Sequence, residues 1–244
     1  MAVDRRITDN LHLVRSRIDA AARRAGRDPS TIQLIAVSKT FGADHVRAAW
    51  QAGQRDFGEN KVQEALQKID ETSDMDVRWH LIGHLQSNKA RKAAARFACI
   101  HSVDSIDLLD RLDQSADART APGVLDILVQ VDLAGEATKF GAAADSARAI
   151  VDRAAAARAV RLVGLMLLPP WSEDQEQTRR WFVRLRELRD RWIDDGVPAG
   201  SLRHLSMGMS HDFEAAIEEG ATIVRVGTAI FGTRVKPVSA GPSP

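Results

Sequence analysis

Short apolar runs alternate along the chain with longer stripes whose apolar positions recur at helical spacing. The first stripe is Leu11, Val14 and Ile18; Thr8 is placed to cap it, and Gly26 with Pro29 ends it. Eight strand-like runs follow, over 32–38, 54–57, 77–82, 99–103, 125–131, 162–168, 202–206 and 222–226. Between them the pattern predicts helices over 43–52, 61–69, 88–97, 106–116, 143–157, 174–192 and 211–219. In the sixth of these, Trp181, Leu185, Leu188 and Trp192 form one apolar stripe, which reads as core packing and makes both Trp residues structural. Strands separated by helices imply a parallel sheet, and eight is the number that closes a (β/α)8 barrel. An open doubly wound sheet is the alternative, but no Gly-x-Gly-x-x-Gly turn follows the first strand. The expectation is therefore an α/β chain forming a single (β/α)8 TIM barrel domain over 1–244, with an extra N-terminal helix within 1–28 and a flexible tail over 235–244.

Composition narrows the partners. With 244 residues and 44% hydrophobic content, the chain can bury a full core, and no linker-like tract divides it. Lys and Arg total 34 against 33 for Asp and Glu, a net charge of +1, which argues against a general nucleic-acid or membrane-surface binder. The basic face made by Lys89, Arg91, Lys92 and Arg96 is accordingly read as solvated surface. A single cysteine, Cys99, sits in an apolar run and suits a reducing compartment. The first residues lack the apolar stretch of a signal peptide, and no segment is apolar for long enough to span a bilayer, so a cytoplasmic location is expected.

The chemistry begins at the end of the first predicted strand. Thr31-Ile32-Gln33-Leu34-Ile35-Ala36-Val37-Ser38-Lys39-Thr40 is an apolar run that stops on an ammonium group. Burying that head is costly unless it finds a partner or loses its proton, so Lys39 is a candidate for amine chemistry such as a Schiff base with a carbonyl. Period-two alternation puts Ile35, Val37 and Lys39 on one face, the inner face of a closed sheet. The plainer reading is that Lys39 extends to solvent from a strand end.

A second constellation lies near the C-terminus, in Leu205-Ser206-Met207-Gly208-Met209-Ser210 and in Arg225-Val226-Gly227-Thr228. Small residues let backbone N–H groups approach an anion, the hydroxyls of Ser206, Ser210 and Thr228 can donate to it, and a helix starting near Ser210 would offer a positive dipole end. These would be the loops after strands seven and eight, where barrels commonly hold phosphate. Against this, Ser210 can simply cap its helix and the glycines can simply make turns. Alternation places Ile223, Arg225 and Gly227 inward, so Arg225 needs an acceptor inside the barrel: a ligand ring nitrogen, or a carboxylate such as Glu59. A Schiff-base lysine, a phosphate cradle and an inward arginine together call for a ligand with an aldehyde, a phosphate and an aromatic nitrogen. Pyridoxal 5′-phosphate (PLP) is that ligand.

At this point the chain closely resembles the pyridoxal phosphate homeostasis protein family, related in fold to the N-terminal barrel of alanine racemase. The resemblance runs nearly end to end, through Ala36-Val37-Ser38-Lys39-Thr40, Phe57-Gly58-Glu59-Asn60, the block from Trp79 to Lys89, Lys139-Phe140-Gly141, Gly164-Leu165-Met166, Ser206 to Ser210 and Arg225-Val226-Gly227-Thr228. It implies that Lys39 carries the covalent Schiff base and that Arg225 faces the pyridine nitrogen. It further implies that Ser206, Met207, Gly227 and Thr228 surround the phosphate and that Asn60 lines the same pocket. Ser210 joins this cofactor-binding set through its hydroxyl. Two departures lie beside the site: Lys61 stands where many relatives have a tyrosine, and Phe41-Gly42 replaces a more usual proline-containing turn.

His80 and His84 raise the question of a metal. On a strand, four residues separate them by roughly 13 Å, too far for one ion, so no metal is assigned; one histidine is read as packed and the other as lying at the pocket rim. Lys139, after the fifth strand, could touch substrate or anions, though an exposed loop lysine is commoner. Two functions fit a bound PLP. The favoured one is intracellular homeostasis of vitamin B6, with PLP held as a Schiff base and supplied to apo forms of PLP-dependent enzymes, by a protein expected to be monomeric. The alternative is a PLP-dependent amino-acid racemase or related enzyme with slow turnover, which needs an acid/base group opposite Lys39. In alanine racemase that group is a tyrosine from a second domain; this sequence contains no tyrosine and leaves no room for such a domain after the eighth strand, although His84 could stand in. An arginine at the ring nitrogen also weakens the electron sink that carbanion chemistry needs. No robust catalysis is therefore expected.

Overall fold

The computed structural model describes residues 2–116, 119–135 and 140–233. Lys139 and the expected tail over 235–244 lie outside the described residues. Among these residues the strands are β1 Gln33–Val37, β2 Asp56–Glu59, β3 Arg78–Leu81, β4 Cys99–Val103, β5 Leu125–Val131, β6 Val160–Leu167, β7 His204–Ser206 and β8 Ile223–Val226. All neighbours pair in parallel, and β8 returns to β1 with Gln33 opposite Ile223 and Ala36 opposite Val226, which closes the barrel. The helices are α1 Ala2–Arg24, α2 Ala43–Gln51, α3 Val62–Glu71, α4 Ala90–Arg96, α5 Ile106–Ala116, α6 Ala144–Ala154, α7 Gln175–Asp194, α8 Phe213–Glu218 and the single turn α9 Thr228–Phe231. The (β/α)8 architecture with an added N-terminal helix is the one the pattern implies.

The parity of the strands sorts the core into two layers. Leu34, Ala36, Phe57, Leu81 and Ile100 face outward into the shell beneath the helices, where each fully buried Leu, Ile or Phe side chain contributes about 1.5–3 kcal/mol. Ile35, Cys99, Leu128, Val163, Met166 and Ile223 pack inside the barrel. Trp192 is buried and Trp181 half-buried against the outer shell, as the stripe on α7 requires.

Only one turn of helix follows β8 among the described residues, and α1 supplies the missing cover. Its buried stripe, Ile7, Leu11, Val14, Ile18 and Ala21, packs between α2, α8 and α9, over the seam where β8 meets β1. Arg17 pairs with Glu214 at 3.1 Å and Arg24 with Glu218 at 2.8 Å, and Arg27 donates to the carbonyls of Ile217 and Ala221.

Several boundaries differ from the sequence reading: β2, expected over 54–57, is Asp56–Glu59, and the helix expected over 143–157 is Ala144–Ala154. Thr8 does not cap α1: the helix already runs from Ala2, and the Thr8 hydroxyl bonds back to the Asp4 carbonyl at 2.9 Å. Residues Ala199–Leu202 form a 3-10 turn, so β7 starts at His204. The helix expected near His211 starts at Phe213 and is only six residues long, so Ser210 stands outside it.

Candidate functional site

A cavity of about 550 Å³ opens at the C-terminal ends of the strands, lined by Lys39, Asn60, Gly83, His84, Ser210, Arg225, Gly227 and Thr228 among others. Lys39 is not itself buried. The strand before it is, but β1 ends at Val37, Ser38 is fully buried, and Lys39 emerges exposed on the cavity wall. Its backbone is held in a tight turn: Thr40 adopts φ 70°, the left-handed region that a β-branched residue seldom occupies, and the Phe41 N–H donates to the Ser38 carbonyl at 3.0 Å. Below this turn lies a buried ion pair. Lys68 Nζ donates to Glu59 Oε1 at 2.7 Å and to the Ser38 carbonyl at 2.8 Å, while the Ser38 hydroxyl donates to the same Glu59 oxygen at 2.6 Å. Glu59 is thus committed to Lys68 and Ser38, and the Arg225–Glu59 pair considered from the sequence does not form.

Arg225 forms part of the cavity lining from inside the barrel and is almost fully buried. Nη1 donates to Ser206 Oγ at 2.6 Å and Nη2 to the Leu167 carbonyl at 2.9 Å. A guanidinium has five N–H donors, so others remain for an acceptor in the cavity. Burial pushes its pKa down to about 10, with Asp212 opposing, which leaves it cationic at neutral pH.

The predicted phosphate residues divide. Ser210, Gly227 and Thr228 line the cavity. Ser210 does not cap α8; its hydroxyl accepts from the N–H groups of Gly227 at 3.2 Å and Ala229 at 3.4 Å, so two amides converge on one oxygen at the cavity wall. Ser206 and Met207 do not reach the cavity as expected. Ser206 is fully buried with its hydroxyl engaged beneath Arg225, and Met207 is fully buried in the outer shell with its N–H on the Ile223 carbonyl at 3.1 Å. The reason is strand parity: Ser206 ends β7 pointing inward below the cavity floor, and the next residue points away.

Asn60 lines the same cavity and touches Gly83 so closely that a Cβ on Gly83 would collide with the Asn60 backbone. At the rim the His84 ring stacks on Phe140 with centroids 3.6 Å apart and planes 9° from parallel, and His84 Nδ1 lies 3.4 Å from Asp104 Oδ2. Burial raises the Asp104 carboxyl, with His84 opposing. Interior Gln130 holds this rim by donating to the Phe140 carbonyl.

Comparison with known proteins bears on this arrangement. Residues 10–235 match the family described as the alanine racemase N-terminal domain. A protein of Pseudomonas aeruginosa named pyridoxal phosphate homeostasis protein is 46% identical over 228 residues, covering 93% of this chain and 96% of the relative. The chain belongs to that family. PipY of Synechococcus elongatus, solved with PLP bound, superposes with a TM-score of 0.81 at 40% identity, over 93% of this chain and all of PipY. Alanine racemase of Corynebacterium glutamicum shares the fold alone, with a TM-score of 0.66 at 16% identity and 62% of its chain covered.

Within this homeostasis-family barrel, sequence reasoning missed a file of polar side chains along the axis. His80 Nε2 lies 3.0 Å from Asp56 Oδ1, His80 Nδ1 lies 3.0 Å from His101 Nε2, and His101 Nδ1 lies 2.9 Å from Ser206 Oγ. Arg78 and Gln33 also donate to Asp56, at the end of the barrel remote from the cavity. Of the two histidines, one expected to be packed and the other at the rim, His80 is the buried one and His84 the one at the cavity; no signal in the strand of His101 marks it as the link between Ser206 and His80 except its inward parity. His80, Cys99 and His101 bring ligand-type atoms within 4.8 Å of one another, yet both rings already have hydrogen-bond partners on each nitrogen.

Proposed function

We propose that this protein binds PLP through Lys39 and supplies it to apo PLP-dependent enzymes in the cytoplasm, as a single-domain monomer over 1–244. The observation that carries this reading is one cavity in which an exposed primary amine, a buried guanidinium and a converging pair of amides lie on different walls. That donor set fits the group: Lys39 suits an aldehyde, Arg225 a ring nitrogen, and Ser210, Gly227 and Thr228 a phosphate dianion. When bound, PLP supplies the aldehyde and the aromatic ring. Asn60 and the apolar side chains of Val37, Ile82 and Leu168 bound the space between these contacts.

The residues favour holding over turnover. Arg225 is a donor only, so it offers no proton acceptor partner for a pyridinium and leaves the ring a weak electron sink. Lys39 stands on an accessible wall, which lets an incoming amine reach the linkage and displace it. Relatives carrying the homeostasis name point the same way. A slow amino-acid racemase is the second reading, favoured by one observation: His84, backed by Asp104 and stacked on Phe140, is a proton-transfer group in the same cavity as Lys39.

Two assays decide between them. Loaded protein mixed with an apo PLP-dependent enzyme should activate it, and L-amino acids in deuterated water should show no appreciable α-hydrogen exchange. Rapid exchange lost in Lys39→Ala would replace the carrier reading with the racemase one.

A further inference from the structure

The interior of a (β/α)8 barrel is usually filled by branched apolar side chains. Here a continuous hydrogen-bonded file crosses it beside such residues, from Asp56 near the base to Arg225 at the cavity, through His80, His101 and Ser206. Every link lies between 2.6 and 3.0 Å.

The two ends dictate the direction of every bond between them. An ionised carboxylate can only accept, so the His80 Nε2 facing Asp56 carries a proton. Asp56 is ionised: burial alone would raise its carboxyl, but hydrogen bonds from His80 and Arg78 bring it below its ordinary value. A guanidinium can only donate, so Ser206 Oγ accepts from Arg225. With both imidazoles neutral, one arrangement satisfies both ends. His80 Nδ1 accepts from His101 Nε2–H, and His101 Nδ1 accepts the Ser206 hydroxyl proton. Burial, reinforced by His80, Arg225 and His204, holds the His101 ring well below the usual histidine range and so keeps it neutral. A charged His80 would reverse the His101 tautomer, turn two donors onto Ser206 Oγ and strand its hydroxyl proton.

We propose that Asp56, His80, His101 and Ser206 are positioning residues for the cofactor, a one-directional relay that holds Arg225 in place as a donor to the ring nitrogen from the far end of the barrel. The proposal rests on the PLP reading above. Its members touch nothing in the cavity; they act because each donor polarises the next toward the Asp56 charge, and a buried, fully satisfied chain of this kind specifies one geometry.

The test has two arms. In cofactor-free wild-type protein at neutral pH, long-range nitrogen–proton NMR of the imidazoles should show protonated Nε2 and unprotonated Nδ1 on both His80 and His101. The opposite tautomer on either ring, or a doubly protonated His80, overturns the relay and leaves the PLP reading untouched. In PLP-loaded protein, Asp56→Asn should shift the visible absorbance band and raise the PLP dissociation rate about 3–10-fold, with Asp56→Glu restoring both toward wild type. A folded Asp56→Asn with wild-type spectrum and dissociation rate overturns the relay. Should Asp56→Asn fail to fold, the wild-type tautomers still decide. A wild-type protein that takes up no PLP contradicts the function, while the tautomers remain readable.

Discussion

Two side chains at the cavity carry most of the proposed chemistry, and their surroundings differ. Lys39 is exposed, and its position comes from the left-handed Thr40 and the anchored Ser38 beside it rather than from burial. Arg225 is buried and makes two of its bonds to protein, which fixes its plane. The proposed phosphate contacts are separable from both. Thr228→Val removes a hydroxyl from the cavity and should weaken PLP about 10-fold while leaving pyridoxal affinity nearly unchanged, as equilibrium titration of the two ligands would show; equal losses would place the phosphate elsewhere. At the other end of the barrel, Asp56 has its carboxyl held below the ordinary value, so it stabilises the fold above the unfolded-state pKa and loses that contribution as pH falls through the folded one. Denaturant titrations of wild type and Asp56→Asn should therefore differ at neutral pH and converge below about pH 4. A gap that stays constant across that range would show that the carboxylate charge is not what stabilises.

Among the elements, the β1–α2 turn depends on the helix of the next βα unit. Lys68 of α3 reaches under it to Glu59 and Ser38, with Glu59 fully buried and one of its oxygens, Oε2, lacking a hydrogen-bond partner among the described residues. Removing the lysine leaves a buried carboxylate uncompensated, so Lys68→Met should cost about 3–5 kcal/mol in denaturant unfolding and also slow PLP uptake at Lys39. A variant that keeps full stability would show Glu59 to be protonated or hydrated instead. Gly83 tests the Asn60 wall of the cavity. Its missing side chain leaves room for the Asn60 backbone, so Gly83→Ala should displace Asn60 and weaken PLP binding without touching Lys39. Most elements were legible in the sequence because apolar spacing survives folding: the strand and helix runs matched within a few residues. What failed was local. Thr8 looked like a cap because caps and helix-interior threonines share one letter, and the six-residue α8 was overextended because Ser210, His211 and Asp212 continue its polar pattern without its hydrogen bonds.

At the scale of the whole molecule, the closed sheet gathers Lys39, Asn60, Ser210, Arg225, Gly227 and Thr228 from widely separated stretches of chain into one cavity. That convergence was legible because strand ends in a barrel share a face, so parity and position were enough to nominate these residues. Ser206 and Met207 were nominated by the same loop motif, yet Ser206 is engaged beneath Arg225 and Met207 faces the outer shell, since a motif shows proximity along the chain and not which way each side chain faces. The file from Asp56 to Ser206 was illegible for a related reason: its members come from β2, β3, β4 and β7, and only the register sets them side by side. All these features fit the proposal of a barrel that holds PLP on one lysine and lets it go. The most direct test is to load the protein with PLP, reduce it with borohydride, digest it and locate the modified peptide by mass. Modification should fall on Lys39 and disappear in Lys39→Ala, whereas a pyridoxyl group fixed on another lysine would contradict the account.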